Sequence, residues 1–276
     1  MQRAYSLAYL TTAPLAPPDA LTLARKLGYQ MIGVRIAPAA PGGDFSPLAD
    51  DPLLLRETLA RIKDTGVTIY DVEIARLGAE FHIEQFRGFL DIAGKLGARA
   101  ILVAGDDKDE ERLIQSYAAF CDAAAGHGLT ADLEFMPWTA VPDAKSALRI
   151  VTRADRPNGR VLVDALHAAR STTTLADIAA IPATRLGYAQ LCDAPGEIPA
   201  THEGLIHTAR CARLLPGEGG IDLIGILRRL PADLPLSLEI PNDERLPAAG
   251  PEAWARQALA AAKSVVARTI EQGILR

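Results

Sequence analysis

Glu134, Asp164, Gln190 and Glu239 each close a short apolar run, in ADLEF, VLVD, LGYAQL and LSLEI. They lie 30, 26 and 49 residues apart, so no two share a helix face and only tertiary convergence could unite them. Three carboxylates and an amide oxygen meeting about one point would repel each other at low dielectric unless a cation lay between them. One divalent metal ion is therefore expected. Oxygen donors favour a hard ion, Mn2+ or Mg2+, because zinc and copper sites usually include His or Cys. The competing reading is that each residue caps the next helix or faces solvent, which is common for acidic and amide side chains at helix starts. Recurrence at four consecutive strand ends weighs against it.

The surrounding residues extend this set. Asp164-Ala-Leu-His167 and Gln190-Leu-Cys-Asp193 repeat a spacing that can turn back into one cavity. His167 and Asp193 are thus candidates to touch a substrate or to orient a ligand. Arg35, at the end of MIGVRI, and Arg213, in a long connection, could supply cationic donors to a phosphate, carboxylate or polarised hydroxyl. A surface ion pair is the plainer role for either. Trp138 offers an aromatic face to a sugar ring, or packs against Pro137.

Strand-like and helix-like segments alternate along the chain in a way that could bring these residues together. Strands are expected over 4–10, 31–36, 67–74, 98–105, 129–135, 159–166, 185–191 and 234–240. Helices are expected over 17–26, 51–64, 80–96, 107–125, 142–154, 174–180, 221–230 and 252–273, several of them opened by Pro or closed by Gly. Eight such pairs close a (β/α)8 TIM barrel, whose active sites sit at the carboxy-terminal strand ends. An open doubly wound sheet is disfavoured because no glycine-rich phosphate turn follows the first strand. The connection 192–219 is long and rich in Pro and Gly, the kind of loop that usually carries function.

Composition agrees with one barrel domain over 1–276, and 49 % hydrophobic residues can fill its core. With 29 basic against 34 acidic residues and no basic block, nucleic acid is not an expected partner. Cys121, Cys192 and Cys211 are odd in number and lack metal-ligand spacing, which fits a reducing cytoplasm rather than a disulfide framework. The opening MQRAYSLAYLTTAPLA has some features of a signal peptide, but polar residues dilute its apolar core and AYSLAYL is needed as a strand. No stretch has the length and apolarity of a membrane span. The sequence leaves the oligomeric state open, a homo-oligomer included.

The motifs GVRIAP, YDVEIARL, LEFMPW, VLVDALHAARS, QLCDAPGE, RLLPGEGGIDL and LSLEIPN resemble those of the sugar phosphate isomerase/epimerase family, the xylose isomerase-like barrels. The resemblance runs from the second strand to the eighth. It implies divalent-metal binding by Glu134, Asp164, Gln190 and Glu239, acid/base roles for Glu134 and Glu239, and substrate binding by Arg213, ahead of the PGEG turn. Many members carry His where Gln190 stands; some isomerase and dehydratase branches carry Gln.

The implied activity is isomerisation or epimerisation of a sugar, sugar phosphate or related polyol through an enediolate. A lyase of the 3-dehydroshikimate or inosose dehydratase type, acting on a cyclic keto acid or polyol, is the nearest alternative, because fold and metal do not set the reaction. A non-catalytic sugar-binding protein is the alternative of another class. A DNA-repair endonuclease on the same barrel would need a His-rich zinc cluster and a basic surface, whereas the five His here are scattered and the chain is acidic.

Overall fold

A computed structural model describes residues 3–40 and 42–274. Eight parallel strands close a barrel in chain order: β1 (Tyr5–Leu7), β2 (Met31–Arg35), β3 (Thr68–Leu77), β4 (Ala100–Gly105), β5 (Thr130–Glu134), β6 (Gly159–Asp164), β7 (Leu186–Leu191) and β8 (Leu236–Leu238). β8 pairs back onto β1, with Ser6 opposite Ser237. Because helices cover the outside, the strands are buried on both faces and read in sequence as short apolar runs.

Two sets of side chains fill the barrel. Leu21, Ile32, Val72, Leu133 and Leu238 belong to the large layer between sheet and helices. Met31, Tyr70, Ala100, Leu102, Leu162 and Tyr188 form a smaller cluster inside the barrel. Close packing governs that interior. A Cβ on Gly187 would stand 1.9 Å from Asp132 Oδ2, and the Gly187 carbonyl accepts the Tyr70 hydroxyl at 2.7 Å. The strand-end residues therefore rest on a filled floor rather than over a pore.

Local signals set the helices. Pro17 opens Pro17–Leu27 and Gly28, at φ 88°, closes it. Asp51 caps Pro52–Thr65 by accepting the Leu53 and Leu54 amides, and Asp143 with Ser146 forms a capping box ahead of Ala144–Ala154. The helix Pro251–Ile274 is pinned to the β8 end by fully buried Trp254, whose indole N–H donates to Ile240 O at 3.0 Å.

Some elements differ from expectation for identifiable reasons. The first strand stops at Leu7 and Tyr9–Thr12 turns helical, placing Thr11 to donate to Leu238 O at 2.7 Å and accept from Ile240 N at 2.8 Å. The sixth strand stops at Asp164 because that side chain caps a helix, Ala165–Arg170, at the His167 amide. The segment expected as helix 80–96 opens with a 3-10 turn, Ile83–Phe86, before Arg87–Lys95. The helix expected over 221–230 is confined to Leu223–Leu227 behind its Asp222 cap. No helix among the described residues is long and apolar enough to cross a membrane.

Candidate active site

All four strand-end residues reach the carboxy-terminal mouth of the barrel. Glu134 and Asp164 are the last residues of β5 and β6, Gln190 is the penultimate residue of β7 and Glu239 follows β8 directly. All four are buried, at 4 %, 0 %, 2 % and 4 % exposure. Their common level follows from parallel register: Asp164 pairs with Gln190, and Gln190 with Ser237, two residues before Glu239.

Arg213 stands among them rather than at the surface. Its guanidinium meets Asp164 Oδ2 at 2.6 Å and Glu239 Oε2 at 2.8 Å, and also donates to Glu239 O at 3.2 Å and Ala209 O at 2.8 Å. The loop after β7 delivers it. An antiparallel bridge between Asp193 and Leu214 folds that loop back, and Asn242 Nδ2 donates to Arg213 O at 2.9 Å.

Asp193 departs from its expected substrate contact. Its carboxylate accepts the backbone amides of Ala194, Gly217 and Ile221 at 2.9, 2.9 and 3.1 Å, so it holds the loop instead of facing the mouth. Glu239 is contacted on both carboxylate oxygens. Gln190 Nε2 donates to its Oε1 at 2.9 Å and Arg213 meets its Oε2 at 2.8 Å, whereas Glu134 keeps one oxygen unpartnered.

Glu134 and His167 are arranged differently. His167 Nε2 lies 3.7 Å from Glu134 Oε1, and the imidazole packs edge-on against Trp138 with centroids 5.1 Å apart. Glu134 Oε1, His167 Nδ1 and Gln190 Oε1 have no hydrogen-bond partner although they are buried. Burial, reinforced by Glu239 and Asp164, pushes the Glu134 carboxyl well above the usual range. Burial also lowers the His167 imidazole to about 4, favouring its neutral form. Burial raises Glu239 to about 7 against the pull of Arg213. For Asp164 burial acts upward too, but Arg213, His167 and the capping bond hold it below its ordinary value.

The opposite wall holds a pair that the strand-end pattern missed only in part. Arg35 was expected at this mouth, but Glu73 on β3 was not. Arg35 Nη2 lies 3.5 Å from Glu73 Oε2 and its guanidinium covers the Tyr9 ring at 4.9 Å. Glu73 sits mid-strand in YDVEIARL, where inward orientation depends on register and leaves no end signal. Arg35, Glu73, Glu134, Arg213 and Glu239 line a cavity of about 210 Å3 that also touches Trp138, His167 and Arg210.

The crowding of carboxyls favours a cation. Among buried Glu73, Glu134, Asp164 and Glu239, Arg35 pairs with Glu73 and Arg213 with Asp164 and Glu239, while Arg76, paired with Asp106, and exposed Arg210 also line the cavity. Atoms of Glu134, Asp164 and His167 come within 4.8 Å of one another, which brings an imidazole into the donor set beside the expected oxygens. Gln190 adds an unpartnered amide oxygen. These residues fit a metal ion, although His167 weakens the argument for a strictly hard one.

The model of the xylose isomerase-like TIM barrel family matches residues 21–265. The chain belongs to that family. Among curated proteins, this xylose isomerase-like barrel is 30 % identical over 177 residues to a 3-dehydroshikimate dehydratase of Pseudomonas aeruginosa, covering 61 % of this chain and 27 % of that protein. It is 28 % identical over 162 residues to another from Pseudomonas putida, covering 55 % and 25 %. The matches thus span about a quarter of the relatives' length. A xylose isomerase-like TIM barrel/4-hydroxyphenylpyruvate dioxygenase fusion protein superposes with a TM-score of 0.78 at 23 % identity, over 95 % of this chain and 42 % of that one. D-allulose 3-epimerase from Methylomonas sp., in complex with D-allulose, gives 0.69 at 15 % identity, over 95 % and 97 %. At such identities the structural likeness shows the fold alone.

Proposed function

We propose that this chain is a divalent-metal-dependent lyase that removes water from a hydroxylated cyclic keto acid of the 3-dehydroshikimate type. Sequence motifs alone favoured an isomerase or epimerase. Arg210 carries the change of order. It lines the cavity mouth from the helix His202–Cys211, is exposed, and has no ion-pair partner among the described residues. A free guanidinium beside a buried acidic floor suits a substrate with a carboxylate at one end and a carbonyl next to a hydroxyl at the other. The named dehydratases are also the sequence relatives, whereas the epimerase likeness rests on fold.

The chemistry begins with loss of the proton on the carbon beside the carbonyl. Glu134 is the base the geometry favours: one oxygen is unpartnered, burial makes its anion strongly basic, and the neutral His167 imidazole flanks it at 3.7 Å. An ion held by Glu134, Asp164 and His167, with Gln190 and Glu239 beside them, would supply Lewis acidity toward the carbonyl and its neighbouring hydroxyl. Arg213 fixes Asp164 and Glu239, and Trp138 closes the side near His167. Expulsion of the β-hydroxyl then completes dehydration, and tautomerisation makes the ring aromatic.

Incubation of Mn2+-loaded protein with 3-dehydroshikimate should release an aromatic dihydroxybenzoate, followed by ultraviolet absorbance. Arg210→Ala should raise KM at least tenfold with a smaller change in kcat, since the guanidinium binds a group remote from the reacting bond. Turnover of ketoses or inososes without formation of the aromatic acid would favour the isomerase/epimerase reading instead.

A further inference from the structure

Expulsion of a hydroxyl needs a proton donor, and the strand-end residues leave that position unfilled. Glu134 is engaged in carbon deprotonation, while Asp164 and Glu239 are held by Arg213. Glu73 meets the need from the other side. It lies on β3, whereas Glu134, Asp164, Gln190 and Glu239 come from β5 to β8, so a substrate resting on that arc presents its opposite side to Glu73. Arg35 holds Glu73 Oε2 from 3.5 Å, and Tyr9 fixes Arg35 in turn. Glu73 Oε1 is buried without a hydrogen-bond partner and the residue lines the cavity. A desolvated carboxyl held by one oxygen and open at the other is suited to address a substrate hydroxyl.

Resting on the lyase reading above, we propose that Glu73 is the catalytic acid that protonates the departing hydroxyl. The electron pair left by the abstracted proton forms the new carbon–carbon double bond through the enolate, and the β-carbon–oxygen bond breaks. The oxygen takes the Glu73 proton and leaves as water; exchange with solvent moves the proton gained by the base and restores that of Glu73. Substrate and product differ by one water, and no oxidant or reductant enters. Burial raises the Glu73 carboxyl, opposed by Arg35, in keeping with a group that carries a proton into the step.

The test compares the Mn2+-loaded protein with Glu73→Gln in deuterated water, using 3-dehydroshikimate and following two readouts: deuterium in recovered substrate and aromatic product. Glu73→Gln should form product at least a hundredfold more slowly. It should still place deuterium on the carbon beside the carbonyl, which also shows that it folds and binds. Glu73→Asp, which keeps an acid, should restore part of the elimination, and it carries the comparison if the Gln variant does not fold. Product at the parent rate from Glu73→Gln would overturn the proposal. Equal loss of exchange and product in a folded variant would overturn it too, by making Glu73 the base. A parent protein giving neither readout would remove the lyase reading itself and the proposal with it.

Discussion

Asp164 shows how one side chain can hold several roles. Oδ1 accepts the His167 amide at 3.0 Å and Oδ2 meets Arg213 at 2.6 Å, so helix cap, ion pair and candidate metal ligand coincide. Asp164→Asn should destabilise the protein by about 3 kcal/mol, at the low end for a broken buried pair because Glu239 still faces the guanidinium. Denaturant titration measures this, and pairing it with Arg213→Met should recover part of the loss. Glu134→Gln keeps shape and an oxygen donor but removes the proposed base. Turnover and deuterium exchange should both fall by roughly 10²- to 10⁴-fold, with metal content measured alongside. That joint loss separates Glu134 from Glu73, whose Gln variant should retain exchange.

At the level of elements, the loop between β7 and the helix Leu223–Leu227 decides whether the site exists. Asp193 gathers three amides of that loop, and the tight fold leaves no room at Gly219, where a Cβ would stand 2.1 Å from Ala194 O. Asp193→Ala should therefore cost about 2–4 kcal/mol by leaving buried amides unpaired. It should also lower activity by freeing Arg213, although Asp193 does not line the cavity. Thermal melts with kcat measurement check this. An unchanged melt would show that the bridge to Leu214 and the Asn242 contact hold the loop without the carboxylate.

For the whole molecule, a metal held at the acidic mouth would couple to stability. Barrel closure forces buried Glu73, Glu134, Asp164 and Glu239 together, with Arg35 paired to Glu73 and Arg213 to Asp164 and Glu239, so a divalent ion bound to the folded state should raise the melting temperature. At a hundred times Kd the gain is about 2.7 kcal/mol, on the order of 5–10 °C for a chain of this size. Differential scanning calorimetry with Mn2+ and then a chelator checks it. The shift should shrink in Asp164→Asn.

The order of eight strands, most helix caps and the strand-end positions of Glu134, Asp164, Gln190 and Glu239 were legible in sequence because they follow from local patterns: apolar runs, Pro at helix starts, and Gly or Asp at boundaries. Arg35, His167 and Arg213 were legible as residues of the mouth, but their contacts were not. Closure of the ring fixes which atoms face each other, placing Arg213 between Asp164 and Glu239 and His167 beside Glu134. It also turns Asp193 into the loop and brings Glu73 to the cavity from the middle of β3. Local sequence specifies where a strand begins and ends; inward orientation, burial and charge partners depend on register between strands distant in the chain, and only the closed barrel sets them.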